Sequence, residues 1–262
     1  MDLGLAGKSV FVAAASKGLG KASALAFAKE GAKVTIASRN TEQLEKARDE
    51  IREAAGQEVG IVQMDVLDPK QIQEAIRAAA DAQGGLDVLV TNAGGPPGGS
   101  FSDFKDEDWE RGFELTLLST VRMIREALPY LKSAKEGRIV NIASSSIKQP
   151  IPGLILSNVF RAGIQGLTKS LSQELAEDGI LINTVAPGRI ATERIMQLDR
   201  LRADEQQRTV EDILAEANRQ IALGRTGTPE EFGRIVAFYG SLANTYMTGQ
   251  SILVDGGLVK AL

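Results

Sequence analysis

Short apolar runs, rich in β-branched residues, alternate along the chain with longer helical segments. The runs are KSVFVAA (8–14), KVTIAS (33–38), VGIVQMDV (59–66), LDVLVTNAG (86–94), GRIVNIAS (137–144), ILINTVAP (180–187) and QSILVD (250–255). Several are apolar at consecutive positions, which is typical of strands covered by helices on both faces. The alternation predicts a single α/β domain, 1–262, with a doubly wound, parallel, seven-stranded sheet of Rossmann type.

Residues with strong capping preferences mark where several helical segments begin. Asn40 opens the pattern NTEQ, which has the form of a capping box, and Asp68 and Thr228 each precede a proline suited to the first helical position. The region 189–225 departs from the regular alternation and is rich in Arg, Asp and Glu. We expect this region, between the sixth strand and the last long helix, to form a helical lid.

Composition excludes several kinds of chemistry. The 262 residues include no cysteine and no histidine, which removes disulfides, Cys/His zinc sites, thiol nucleophiles and histidine-dependent triads. The net charge of -4 gives no sign of a nucleic-acid partner. No segment approaches the roughly 20 apolar residues of a membrane span, and the start MDLGLAGKSV lacks a secretory signal. We therefore expect a cytoplasmic protein with a small-molecule substrate and no metal, nucleic-acid or membrane partner.

The segment AAASKGLG (13–20) follows the first predicted strand and opens a predicted helix. Gly18 and Gly20 stand at the turn, where glycine lets backbone N–H groups approach a pyrophosphate at the positive end of a helix. Two glycines alone also fit an ordinary tight turn. The position at the first strand–helix junction of a doubly wound sheet favours a nucleotide-binding site.

Four further segments carry recognisable patterns: QMDV (63–66), TNAGG (91–95), VAPGRIAT (185–192) and ILVDGG (252–257). Together with AAASKGLG, they resemble in order and separation the motifs of the short-chain dehydrogenase/reductase family. Ala14 departs from the family glycine motif, Thr-Gly-x-x-x-Gly-x-Gly, by replacing its first glycine. The resemblance covers the chain from end to end and includes the 3-oxoacyl-[acyl-carrier-protein] reductases and glucose dehydrogenases. It implies a dinucleotide-binding fold and redox chemistry at a carbonyl or alcohol.

The resemblance also implies which residues line the cofactor cleft. They are Ala14, Ser16, Lys17, Gly18, Leu19, Gly20, Ser38, Arg39, Asp65, Val66, Asn92, Ala93, Gly94, Arg161, Pro187, Gly188, Ile190 and Thr192. In relatives the acid at the position of Asp65 hydrogen-bonds the adenine. Ala14 leaves two alternatives open: a turn that needs a positive φ makes its Cβ costly, whereas an ordinary backbone tolerates it with a small shift.

The end of the second strand indicates which nicotinamide cofactor is preferred. An acid there hydrogen-bonds the ribose 2′-hydroxyl of NAD, whereas a base accommodates the 2′-phosphate of NADP. Here the strand ends in ASRN, without an acid, and Arg39 can meet a phosphate through two hydrogen bonds. Lys17 in the glycine loop adds a second charge. The pattern favours NADP over NAD, against the alternative that both residues are solvated surface charges.

In the family, an asparagine, a serine, a tyrosine and a lysine carry the reaction. The resemblance places these four roles at Thr116, Ser144, Ser157 and Arg161, so only the serine is retained. Ser157 and Arg161 lie one helical turn apart on the same face. An aliphatic hydroxyl is less acidic than a phenol and shorter by a ring, and arginine does not give up its proton. The usual proton donor is therefore missing.

Three functions remain compatible with this site. The first is an NADP(H)-dependent oxidoreductase with an unusual proton route, for example water relayed through Ser144, Ser157 and Asn158. Hydride transfer belongs to the cofactor, so loss of the acid slows the reaction without abolishing it. The second is a cofactor-binding or sensing protein without turnover, and the third is a binding protein for another small ligand.

Arginine positions suggest an anionic ligand. Arg161 stands in the small, apolar stretch VFRAGIQGL, which favours burial and an anionic partner such as a ribose–phosphate or a substrate carboxylate. The lid contributes Arg189, Arg194, Arg200 and Arg202. They fit a sizeable anionic substrate, although a solvated helix with i, i+4 ion pairs is the simpler explanation.

The last two predicted elements bear on assembly. The closing strand QSILVDGG and the preceding apolar helix EFGRIVAFYGSL are buried between subunits in relatives. The resemblance therefore implies a homotetramer, and closed symmetry is the rule among soluble oligomers.

Overall fold

Seven parallel strands form one sheet in the computed structural model, which describes residues 1–261. The strands are β1 Ser9–Ala13, β2 Lys33–Ser38, β3 Val59–Gln63, β4 Val88–Thr91, β5 Arg138–Ile142, β6 Leu181–Pro187 and β7 Ser251–Val254. Their order across the sheet is β3-β2-β1-β4-β5-β6-β7. From β1 to β3 successive strands are added toward one edge of the sheet, and from β4 to β7 toward the other edge. Ligands bind in open sheets of this kind at the point where this order reverses, between β1 and β4. The predicted architecture is confirmed.

Helices cover both faces of the sheet. They are α1 Gly18–Lys29, α2 Thr41–Ala55, α3 Pro69–Gln83, α4 Asp106–Phe113, α5 Ser119–Ser133, α6 Ile155–Glu174, α7 Glu193–Gln206, α8 Val210–Arg219 and α9 Pro229–Tyr239. The predicted caps are confirmed: the side chains of Asn40, Asp68 and Thr228 each accept a hydrogen bond from a backbone N–H of the helix that follows. A π-helical turn, Glu114–Leu118, joins α4 to α5 and was not predicted.

Alternate side chains of the strands enter two separate apolar cores. In β1, Val10 and Val12 pack on the side of α1, α2 and α9, whereas Phe11 and Ala13 pack on the side of α3 and α5. All of these side chains are fully buried. Because both faces of the central strands β1, β4 and β5 are covered, these strands appear in the sequence as continuous apolar runs rather than alternating ones.

Several apolar runs extend past the carboxyl ends of the strands they contain. The run 59–66 forms a strand only over Val59–Gln63, and the run 86–94 only over Val88–Thr91. The extra residues leave the sheet as loops along its carboxyl edge, where they carry the predicted site residues. The region 189–225 contains the helices α7 and α8, and its role as a lid stays a prediction. None of the described helices is long and apolar enough to cross a membrane.

Helices α1 and α9 approach each other so closely that their contact needs glycine. A Cβ at Gly233 would stand 2.8 Å from the backbone carbonyl carbon of Ala22. That is closer than real Cβ contacts allow, and the neighbouring atoms are backbone, which cannot rotate away. The packing of α1, and with it the position of the glycine loop, therefore depends on the absence of a side chain at Gly233.

We predict that Gly233→Ala lowers the free energy of unfolding by about 1–3 kcal/mol, the usual cost of overpacking a close-packed interior. The exposed neighbour Arg234 provides a matched control on the same helix. Arg234→Ala should change the free energy by less than about 0.5 kcal/mol. Urea denaturation of the three proteins measures both effects, and a Gly233→Ala variant as stable as the wild type would contradict the prediction.

Candidate active site

The loops that leave the carboxyl ends of β1, β4, β5 and β6 meet over the point where the strand order reverses. They hold the glycine loop, the segment that begins at Asn92, the serine segment that begins at Ser144, and the segment that begins at Pro187. The structure therefore assembles the predicted site residues at one edge of the sheet. This edge is the expected ligand crevice of a doubly wound fold.

Backbone geometry resolves the two alternatives at Ala14. Its φ is 47°, in the left-handed region, so this turn does require the conformation that glycine adopts most easily. For a residue with a Cβ, that conformation costs roughly 1–2 kcal/mol. The Nδ2 atom of Asn92 donates a hydrogen bond to the Ala14 carbonyl at 3.2 Å and helps to hold the turn.

The glycine loop is closely packed and keeps the start of α1 free. A Cβ at Gly20 would stand 2.9 Å from the Cα of Ala15, so only glycine lets the helix approach the turn. Lys17 precedes the helix in an extended conformation, and its side chain does not cap the first N–H groups. These N–H groups remain available to an anion at the positive end of the helix. The geometry fits the pyrophosphate of a dinucleotide.

A second wall of the crevice comes from the segment after β6. Thr192 lies with its Cγ2 atom 3.7 Å from the position that a Cβ of Gly18 would occupy. Pro187 and Gly188 continue directly from β6, and the N–H of Gly188 donates to the carbonyl of Val254 at 3.0 Å. Ile190 is buried behind them. The segment 187–192, whose residues the resemblance places in the cofactor cleft, therefore faces the glycine loop across a narrow cleft.

Residues at the ends of β2 and β3 form the far side of the crevice. The hydroxyl of Ser38 donates to that of Ser16 at 3.0 Å, which ties β2 to the glycine loop. Asp65 accepts a hydrogen bond from the Leu67 N–H at 3.0 Å through Oδ1, which orients its carboxylate, and Val66 beside it is buried. These contacts place the predicted adenine-binding residues in a fixed loop.

The two basic residues predicted to favour NADP differ in their surroundings. Arg39 is exposed, and no carboxylate among residues 1–261 forms an ion pair with it. Lys17 lies 3.3 Å from Glu193 at the start of α7, so its charge is already compensated. Lys17 is therefore a weaker candidate for a 2′-phosphate than the sequence suggested, and Arg39 becomes the main one.

The retained serine, Ser144, sits at the end of the loop that leaves β5. Its Oγ accepts a hydrogen bond from the N–H of Ser146 at 3.2 Å and caps a short 3₁₀ turn, Ser145–Ile147. Its hydroxyl proton remains available for a ligand. Ser157 is half-buried on the first turns of α6, and its hydroxyl has no hydrogen-bond partner in the described part of the chain.

Asn158 is held by the loop before α6. Its Oδ1 accepts from the N–H of Ile151 at 3.1 Å, and its Nδ2 donates to the carbonyl of the same residue at 3.0 Å. Each end of the amide keeps one further hydrogen-bonding position. Its place in the water relay stays a prediction, beside the hydroxyl groups of Ser144 and Ser157.

Arg161 is buried, with 7% of its surface exposed, which excludes the surface-charge interpretation. Its Nη1 donates to the carbonyl of Ile142 at 2.8 Å, at the end of β5, whereas its Nε has no partner. Burial, together with the positive charge of Arg194, lowers the pKa of Arg161 to about 10. The guanidinium stays charged at neutral pH, and no carboxylate of residues 1–261 pairs with it.

Thr116, at the position of the family asparagine, lies in the π-helical turn between α4 and α5. The residue is buried, and its Oγ1 has no hydrogen-bond partner among the described residues. π-helical turns inside α-helices occur frequently at functional sites. The apolar pattern of this segment did not lead us to expect the turn, because α4 and α5 were not treated as two helices with a shift in register between them.

The lid arginines separate into different roles. Arg189 forms a buried ion pair with Asp199 and so is not available to a ligand, which corrects the grouping made from the sequence. Arg200 and Arg202 are exposed. Arg194 contacts the crevice. Its Nη2 donates to the carbonyl of Pro96, in the loop that follows β4, at 3.4 Å.

Comparison with known proteins identifies the family. A family model described as enoyl-(acyl carrier protein) reductase matches residues 13–259. A 3-oxoacyl-[acyl-carrier-protein] reductase, FabG, of Thermotoga maritima is 34% identical over 255 residues, which cover 97% of this chain and 99% of that protein. The chain belongs to the short-chain dehydrogenase/reductase family.

Solved structures of short-chain dehydrogenases and reductases superpose closely on the chain. L-sorbose reductase from Gluconobacter frateurii, complexed with NADPH and L-sorbose, has a TM-score of 0.95 and 30% identity, with both chains fully covered. An NADPH-bound short-chain oxidoreductase from Pseudomonas aeruginosa, described as containing an atypical catalytic center, has a TM-score of 0.89 and 30% identity. The alignment covers 98% of this chain and 99% of that one.

We predict that Ala14→Gly stabilises the protein. Removing the left-handed strain regains roughly 1–2 kcal/mol, and the greater freedom of glycine in the unfolded chain takes back about 0.5–1 kcal/mol. The free energy of unfolding should rise by about 0.5–1 kcal/mol, as the difference between these two effects. Ala15→Gly, at the neighbouring residue without a positive φ, should destabilise the protein. Denaturant unfolding distinguishes the two, and a loss of stability in Ala14→Gly would show that the strain is absent.

Proposed function

We propose that the chain is an NADPH-dependent oxidoreductase that reduces a carbonyl substrate without the family's tyrosine–lysine pair. The observation that carries the proposal is the cleft itself, where a glycine loop with an uncapped helix start faces Thr192 and leads to a buried cation, Arg161. The NADPH complexes of L-sorbose reductase and the Pseudomonas aeruginosa oxidoreductase support this choice of cofactor. When bound, NADPH supplies hydride.

Two groups of this chain stabilise the negative charge that develops on the substrate oxygen. Ser144 donates a hydrogen bond, because its Oγ accepts from Ser146 and keeps its proton for the ligand. Arg161 contributes a fixed positive charge in a buried environment, where electrostatic interactions are stronger than in water. Arg161 does not release its proton, so the proton reaches the alcohol from water, through Ser144 or Ser157.

A cofactor-binding protein without turnover is the second candidate, and the loss of the tyrosine favours it. A positioned general acid contributes about 10²–10⁴-fold to such a rate. A single-turnover measurement distinguishes the two candidates. When the protein–NADPH complex is mixed with a panel of carbonyl compounds, the absorbance of the reduced nicotinamide should fall only if the chain is an oxidoreductase.

Assembly as a homotetramer is part of the same proposal. Strand β7 is an edge strand of the sheet, and each of its four residues is only half-buried in the single chain. Unpaired sheet edges of this kind are normally covered in native proteins. A second copy of the chain is the covering element that the family resemblance implies.

We predict that the protein binds NADPH more tightly than NADH and that Arg39→Asp reverses the preference. Loss of a charged hydrogen bond to the 2′-phosphate typically costs about 1.5–3 kcal/mol, while the new carboxylate can accept from a 2′-hydroxyl. Arg52→Asp, an exposed arginine on α2, is the control and should leave both affinities unchanged. Calorimetric titration with both nucleotides gives the result, and equal wild-type affinities for NADPH and NADH would refute the assignment.

We also predict that Ser157→Tyr combined with Arg161→Lys raises the reduction of simple aldehydes and ketones. The double change restores a positioned acid, worth about 10²–10⁴-fold, next to a retained Ser144. Thr116 limits the gain, because the asparagine of the family is still missing. Initial rates of NADPH oxidation report activity, with cofactor binding measured separately. Efficient wild-type turnover that Ser157→Ala leaves unchanged would disprove the idea that the missing acid is the decisive defect.

A further inference from the structure

Two arginines at the chemical end of the crevice lack a negative partner that belongs to the protein. Arg161 is buried and pairs with no carboxylate of the described chain, and its Nε makes no hydrogen bond. Arg194 is exposed, and its positive charge adds to burial in lowering the pKa of Arg161. A buried charge without a partner is costly, and a second like charge beside it adds to the cost. An anion beside the two guanidinium groups would offset this cost.

The backbone partners of the two side chains place them on adjacent strands. Arg161 donates to Ile142, the last residue of β5, and Arg194 donates to Pro96 in the loop that follows β4. Strands β4 and β5 are neighbours in the sheet. Gly95 allows this approach, because its absent Cβ would lie 3.3 Å from Nη2 of Arg194. Both cations therefore lie at the carboxyl edge of this strand pair, beside the loop that carries Ser144.

Ser157 provides space on the same side. It lies one helical turn before Arg161 on α6, and its short, half-buried side chain makes no hydrogen bond to the described residues. The Nη2 atom of Arg161 makes no hydrogen bond to the described residues, so a group with two oxygen atoms can approach this side of the guanidinium without displacing a protein contact. Guanidinium groups bind carboxylates through pairs of parallel hydrogen bonds.

We propose that Arg161 and Arg194 form a carboxylate-binding subsite, so that the substrate is an oxo acid bound as its free anion rather than a neutral sugar or a thioester. This inference rests on the proposed reductase function and specifies its substrate class. The carboxylate anchors the substrate at the arginines and presents the neighbouring carbonyl to Ser144. Arg161 is then a substrate-binding group as well as a source of positive charge.

The phosphates of a dinucleotide are a different possible source of the anion. The uncapped start of α1 already provides a phosphate site at the glycine loop, next to β1. A ribose would satisfy hydrogen-bond donors, but it is neutral and compensates no charge. A substrate carboxylate accounts for both the uncompensated charge of Arg161 and the second cation, and the experiment below separates these sources.

The first test compares an anion with its neutral counterpart. Protein saturated with NADP⁺, which cannot reduce the ligand, is titrated with 2-oxobutyrate and with 2-oxobutyramide, and weak binding is followed by ligand-observed NMR. We expect the carboxylate to bind at least about 10-fold more tightly than the amide, as the loss of a charged hydrogen bond implies. Equal binding of the two ligands overturns the proposal. Chloride or inorganic phosphate that displaces the carboxylate with an affinity equal to that of the carboxylate also overturns it.

The second test uses Arg194→Gln, with Arg200→Gln on the same helix as the matched control. Arg194→Gln should weaken carboxylate binding about 10- to 100-fold, and leave amide binding and the NADP⁺ dissociation constant within about twofold. Arg200→Gln should change none of them. An Arg194→Gln variant that keeps its carboxylate affinity, or that loses NADP⁺ affinity to the same degree, overturns the proposal.

Arg161 is tested by a pair of variants, since removal of a buried charge can disturb folding. Arg161→Lys keeps a positive charge and should retain part of the carboxylate affinity, whereas Arg161→Met should abolish the preference over the amide. Far-UV circular dichroism and the midpoint of urea unfolding verify that each variant is folded. A folded Arg161→Met protein that still prefers the carboxylate overturns the proposal. Failure of wild-type NADPH binding, by contrast, rejects the reductase function and not the anion subsite.

Discussion

The buried charge of Arg161 constrains the rest of the site. Taking a guanidinium out of water costs several kcal/mol unless other groups compensate, and among residues 1–261 the side chain hydrogen-bonds to one backbone carbonyl, that of Ile142. Helix α6, the end of β5 and the π-helical turn at Glu114–Leu118 all surround this position. The packing of these three elements therefore has to accommodate a buried positive charge.

Much of the fold could be predicted from the sequence, because its causes are local. The apolar runs predicted all seven strands, since burial on both faces leaves no polar alternation to interrupt them. The caps at Asn40, Asp68 and Thr228 predicted three helix starts, since a side-chain oxygen must accept from N–H groups two or three residues away. The crevice followed from the strand order that such folds adopt.

Contacts between distant segments could not be predicted in the same way. The pairing of Lys17 with Glu193, and of Arg189 with Asp199, depends on where the lid packs, which no local pattern fixes. The strain at Ala14 follows from the path of one turn. The correct prediction that Arg161 is buried used its small, apolar neighbours, and the proximity of Arg194 appears only in the folded chain.

The first turn of α7 contacts both halves of the crevice. Thr192 and Glu193 touch the glycine loop, whereas Arg194 touches the loop after β4. A single turn of helix thus contacts both halves of the crevice and connects them physically. Thermodynamic reciprocity then requires that a ligand on the glycine loop change the affinity of the arginine side by the same factor as the reverse. Any shift of this turn that accompanies binding in one half therefore changes the affinity of the other half, whichever ligand binds first.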